Sequence, residues 1–77
     1  MLLSEMREGA SATVLKVGCN GALRLRILEM GILKGTHLYV EKYAPLKDPL
    51  ELIVKGSHIS LRVAEAAKIE VQPGPLT

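Results

Sequence analysis

Residues 37–43, HLYVEKY, alternate apolar and polar, with Leu38 and Val40 facing one way and His37, Tyr39, Glu41 and Tyr43 the other. Residues 50–55, LELIVK, repeat the pattern, with Leu50, Leu52 and Val54 set against Glu51, Ile53 and Lys55. A period of two is the mark of a half-buried strand, so the two segments predict a hairpin. The loop between them, APLKDP (44–49), carries two prolines. Pro45 and Pro49 push Ala44 and Asp48 into extended conformations and cannot donate to a ladder, so they stop the pairing and fix the register of both strands.

Elsewhere the period is weaker or different. SATVLKV (11–17) has the β-branched content of a strand, but Thr13, Leu15 and Val17 lie on one face and Ala12 and Val14 on the other. Periodicity does not choose the inner face. ALRLRILEM (22–30) is built of helix formers, follows Asn20 as a candidate cap and ends at Gly31, which suits the left-handed position after a helix. Leu23, Ile27 and Met30 fall on its core stripe. Leu25 lies about 160° from the centre of that stripe and Leu28 about 140°. Residues 2–8 predict a short helical turn capped by Ser4 and broken by Gly9. HISLR (58–62) predicts a short strand, AEAAK (64–68) one helical turn and IEV (69–71) a last strand, and a tail from Gln72 (72–77) is expected to fray.

About five short strands with one helix inserted after the first, joined by Gly and Pro turns, predict a mainly β fold, a small barrel. Closure would also remove the edges that make small β proteins aggregate. At 77 residues the chain is a single domain, 1–77, near the lower limit of size for a self-sufficient core. It has no Phe or Trp, so Leu, Ile, Val, Ala and Met must fill that core and little volume remains for an enclosed pocket.

Charge and chemistry narrow the functions. The formal charge of +2 comes from ten scattered basic residues among eight acids, and the aromatics are two tyrosines. Nucleic-acid binding, which needs basic stripes or stacking surfaces, is disfavoured. No phosphate loop, GxGxxG, HExxH or CxxC occurs, and the acids read as surface positions, so no enzyme is expected. The single cysteine, Cys19, cannot form an internal disulfide and reads as a small semi-buried side chain in a reducing compartment. His37 and Glu41 share a strand face but lie about 13 Å apart at Cα. His58 could meet His37 across strands or across an oligomer contact, so a divalent metal at a surface or interface site is the minority reading and no cofactor the main one. No stretch reaches the length of a membrane span and the amino terminus lacks a signal peptide, so a soluble cytoplasmic protein is expected, reaching the membrane through a partner.

Three blocks in series, RILEMGILKGT (26–36), APLKDPLELIVKG (44–56) and ISLRVAEAAKIEV (59–71), resemble the FeoA family, the small cytosolic component of bacterial and archaeal ferrous iron uptake. Lys34 stands where that pattern usually has proline, Lys47 where it has glycine and Val63 where a basic residue is common. Lys47 therefore implies a position that either does not need positive φ or tolerates it. The resemblance implies an SH3-like barrel and action through a partner, the membrane ferrous iron transporter with its GTP-binding cytosolic region. It also implies an alternative, a metal-responsive binding module like the SH3-like domain of metal-dependent repressors. With no helix-turn-helix in this chain, a repressor would need a second polypeptide.

Two candidate contacts follow. Leu25 and Leu28, flanked by Arg24 and Glu29, would form an apolar patch on the helix, and exposed patches mark interaction surfaces. Leu46 and Lys47 on the proline turn are the second. His37 and His58 are the metal candidates, and a homo-oligomer is the arrangement in which they could act together.

Overall fold

The structure, a computed structural model, describes residues 1–74. Five strands, β1 (Ser11–Val17), β2 (His37–Tyr43), β3 (Leu50–Val54), β4 (Ser57–Leu61) and β5 (Ile69–Pro73), form one antiparallel sheet in the order β4-β3-β2-β1-β5. Helix α1 (Gly21–Glu29) lies between β1 and β2, and a one-turn helix α2 (Val63–Ala66) between β4 and β5. The mainly β fold with a helix inserted after the first strand is as the sequence predicts. The expected closure is not: β4 and β5 end the sheet and share no ladder among the described residues. The edge of β5 is partly covered by the amino-terminal segment, through a Leu2–Glu70 bridge and a 2.7 Å bond from the Val71 amide to the Met1 carbonyl.

Two β-bulges explain where alternation misleads. In β1 the register shifts between Val14 and Lys16, so Ala12, Val14 and Val17 are all buried although they do not share a period-two face. Leu15 is the extra residue: it and Lys16 both face outward, and Val17 returns to the core. In β2 the shift between Val40 and Lys42 brings Tyr43 against the core, where strict alternation put it on the outer face. In β3, Leu50, Leu52 and Val54 are buried as predicted.

Helix α1 buries Ile27 fully, with Leu23, Leu28 and Met30 half-buried against the core. Its end satisfies the last carbonyls in a Schellman arrangement. Gly31, at φ +90°, donates to Leu28 O at 3.0 Å, and Ile32 donates to Ile27 O at 3.3 Å. Ile27 and Ile32 are both fully buried, the apolar contact that accompanies this cap. Asn20 holds the cap position without a side-chain cap bond.

The amino-terminal helical turn is shorter than expected, a 3₁₀ turn at Leu3–Glu5, and its cap is Leu2 rather than Ser4: the Leu2 amide donates to Glu5 Oε1 at 2.7 Å. At the other end β5 runs to Pro73, and the Gly74 amide donates to Ser11 O at 2.9 Å. Gln72 and Pro73 are therefore paired rather than frayed; the rest of the expected tail, 75–77, lies outside the described residues.

Candidate docking surface

The proline turn is the most prominent feature of the outer face. Ala44 (ψ 164°) and Asp48 (φ −155°, ψ 128°) take the extended conformations that a following proline imposes. Between them Leu46 (φ 70°) and Lys47 (φ 64°) occupy the left-handed region in succession. That region costs roughly 1–2 kcal/mol per residue for side chains other than glycine. Positive φ is thus retained at Lys47, where the family pattern has glycine, and the position tolerates the strain.

The turn is held at several points. Lys47 N–H donates to Ala44 O at 2.7 Å and Ala44 N–H to Pro49 O at 2.9 Å. Asp48 Oδ1 accepts the Val63 amide at 3.0 Å, the first donor of α2, while Oδ2 lies 3.9 Å from the Arg62 guanidinium. At the apex, Leu46 is 98% exposed. It does not fold back on the sheet. A fully solvated leucine on a strained, anchored backbone gains nothing for the fold.

Beside Leu46 an open groove of about 640 Å³ runs along Val63, Tyr43, Met6 and Ser4. Tyr43 fixes its floor: the hydroxyl donates to Met6 O at 2.5 Å, with Ser4 O a longer acceptor at 3.3 Å, and the amide donates to Glu8 Oε1 at 2.9 Å. Burial, and to a lesser extent the Glu8 carboxylate, raises the Tyr43 pKa above the ordinary phenol value. Sequence reasoning missed Tyr43 because the bulge in β2 hides it, and missed the anchoring role of Asp48 because its partner lies 15 residues ahead.

The helix candidates separate. Leu25 is 59% exposed, whereas Leu28 packs against the core, so the predicted two-leucine patch reduces to Leu25. Arg24 donates to Val17 O at 2.8 Å, tying α1 to the end of β1, and Glu29 is exposed. Arg26 pairs with Glu65 of α2, and Glu65 Oε1 also accepts the Arg62 amide at 3.0 Å. Leu25 lies outside the groove that Leu46 and Lys47 line; α2 is the element linking the two sites.

The two histidines do not meet. The register Tyr39↔Ile53↔His58 places His58 two strands and two residues from His37, roughly 12 Å at Cα. His37 Nδ1 lies 3.4 Å from Thr13 Oγ1. His58, with its side chain 68% exposed, lies 3.5 Å from Glu41 Oε1. Among the described residues no three His, Cys, Asp or Glu side chains converge, so one chain falls short of the three or four protein ligands of a zinc site. Cys19 is buried and unpaired. No helix of the described residues is long and apolar enough to cross a membrane.

Comparison with known proteins places this geometry. The model of the FeoA domain matches residues 1–73. An Fe(2+) transport protein A/Fe(2+) transporter FeoB fusion protein of Porphyromonas gingivalis is 43% identical over 72 residues, 94% of this chain; the chain spans 8% of the length of that curated relative. The solution structure of a FeoA protein from Chlorobium tepidum superposes with a TM-score of 0.87 at 38% identity, over 92% of this chain and 68% of the other. The zinc-complexed crystal structure of Stenotrophomonas maltophilia FeoA, described as a prokaryotic SH3 domain protein, superposes at 0.82 with 32% identity, over 94% and 89%. The SH3-like fold class expected from the sequence holds.

Proposed function

Because this chain belongs to the FeoA family, we propose that it is a cytoplasmic adaptor of ferrous iron uptake that docks on the membrane ferrous iron transporter through the Leu46 turn and engages that transporter's GTP-binding region. The observation that carries this reading is Leu46, 98% exposed on a turn anchored at both ends. The Porphyromonas gingivalis fusion supports it, since joining two modules in one chain raises their effective concentration and favours those that act in contact. The open grooves suit a binding module.

Capture of the chain by the transporter's soluble cytosolic region, with and without GTP, tests the reading. Leu46→Glu should weaken capture about 30-fold, the size of an interface hot spot, and Leu25→Glu serves as the helix control. Unchanged capture by Leu46→Glu removes the turn from the contact, and loss of capture by Leu25→Glu alone moves the contact to the helix.

The metal-responsive reading rests on the His58–Glu41 pair, two donors 3.5 Å apart. A second copy would have to complete the site. Calorimetric titration with zinc and ferrous ions, run with sedimentation, should then show saturable binding coupled to dimer formation and lost in His58→Ala. Absence of saturable heat would end that reading.

A further inference from the structure

A second face, built around the loop after α1, has a different chemistry. Residues 33–36 form a tight turn: Thr36 N–H donates to Leu33 O at 2.9 Å, and Gly35, at φ +88°, takes the left-handed position that a type II turn requires. The turn is locked to β1 by the Gly35 amide on Val14 O (2.7 Å) and the Val14 amide on Thr36 O (2.9 Å), and to itself by the Leu33 amide on Thr36 Oγ1 (3.1 Å). Leu33 and Lys34 are therefore projected from a rigid tip.

Two open depressions meet at Lys34. Leu15, Lys16 and Arg24 line one; Leu33, His37 and Lys55 line the other. Leu15 is 42% and Leu33 43% exposed, the first as the unpaired residue of the β1 bulge and the second because it rides the tip. Among the described residues no ion pair involves Lys16, Lys34 or Lys55. Arg24 bonds a backbone carbonyl, which leaves its charge uncompensated. Glu70, across the ladder from Lys16, is the one facing acid that the register supplies. The result is a cationic face with two leucines standing in it.

We infer that this face docks on a bilayer surface rich in anionic lipid, with Lys16, Lys34 and Lys55 at the headgroups and Leu15 and Leu33 entering the interface. Charge complementarity selects an anionic occupant, and composition selects a lipid surface over an acidic protein. Protein interfaces are depleted in lysine and enriched in arginine; here three lysines accompany one arginine across the two depressions. Flexible ammonium groups around apolar side chains instead match peripheral membrane contact, in which lysine stems lie along the interface and electrostatics and insertion act together. The inference stands on this face alone and gives the adaptor a second contact, separate from the Leu46 turn.

Flotation of the full chain with phosphatidylcholine vesicles, with and without phosphatidylglycerol, tests it. The chain should float with the anionic vesicles at low salt, stay behind with the neutral ones, and be released as ionic strength rises. Replacing Lys16, Lys34 and Lys55 together by Glu should lower partitioning by more than about 100-fold, the loss expected from removing the three charges alone. The same three positions changed to Gln, with denaturation midpoints unaltered, guard against a folding artefact. Leu33→Asp should weaken what binding survives in moderate salt. Equal flotation with neutral vesicles, or no loss on charge reversal, overturns the inference. So does lysine-dependent capture by the transporter's soluble region without vesicle binding, which would make the face a protein contact. Leu46→Glu should leave flotation unchanged, so failure here is distinct from failure of the adaptor reading.

Discussion

At the scale of single residues, backbone conformation and one phenol carry the clearest consequences. Lys47 sits at φ 64°, and among the described residues no hydrogen bond or ion pair needs its side chain there, so Lys47→Gly should relieve more strain than it adds in chain entropy. The expected gain is about 0.5–1 kcal/mol, read as a higher denaturant midpoint with unchanged slope. Tyr43→Phe removes the bond to Met6 O and should cost about 1 kcal/mol. The raised Tyr43 pKa fixes the sign of a pH effect. The folded state holds the phenolic proton more tightly than the unfolded state, so the associated stability is complete below the ordinary phenol value of 10.0 and is lost as pH climbs through the folded pKa. Tyr43→Phe should flatten that alkaline decline. The strain at Lys47 was half legible, as a lysine where the family pattern has glycine, but the role of Tyr43 was not, because it sat on the polar side of an alternating strand. The residue that breaks the alternation, Glu41, carries no mark of a bulge.

At the scale of elements, spacing foretold much and contacts decided the rest. The hairpin strands, the helix after β1 and its glycine stop were readable because alternation, helical stripe and C-cap chemistry are local signals. The inner face of β1 was not, because a register shift buries residues from both of its phases. Gly18 shows a constraint of another kind. Its amide donates to Lys68 O at 2.7 Å, and a Cβ on it would come within 2.9 Å of that oxygen. Glycine is needed there for space rather than for φ. Gly18→Ala should push β1 and β5 apart where they begin to pair, costing roughly 1–3 kcal/mol, with the first loss of amide protection in β5. Ile27→Ala, which empties the contact closing α1, should cost about 2–5 kcal/mol.

At the scale of the whole molecule, the sequence conveyed the fold class and the family, because three motif blocks keep their order and spacing along nearly the entire chain. Barrel closure did not follow from strand count, since closure depends on whether the last strand reaches the fourth, a long-range fact no local pattern encodes. The candidate contacts were half legible: helical spacing marked Leu25 as outward, but whether Leu28 and Leu46 fold inward is decided by neighbours distant in the chain. Asp48 joins two such neighbours by receiving the Val63 amide. Asp48→Ala should therefore cost about 1 kcal/mol of stability and also weaken transporter capture, although its carboxylate is turned toward α2. The reason is preorganisation. A loop already fixed in its working shape surrenders little entropy on association, so complex formation should be fast, its lifetime set by dissociation, and its heat-capacity change small enough to leave no signature of coupled folding.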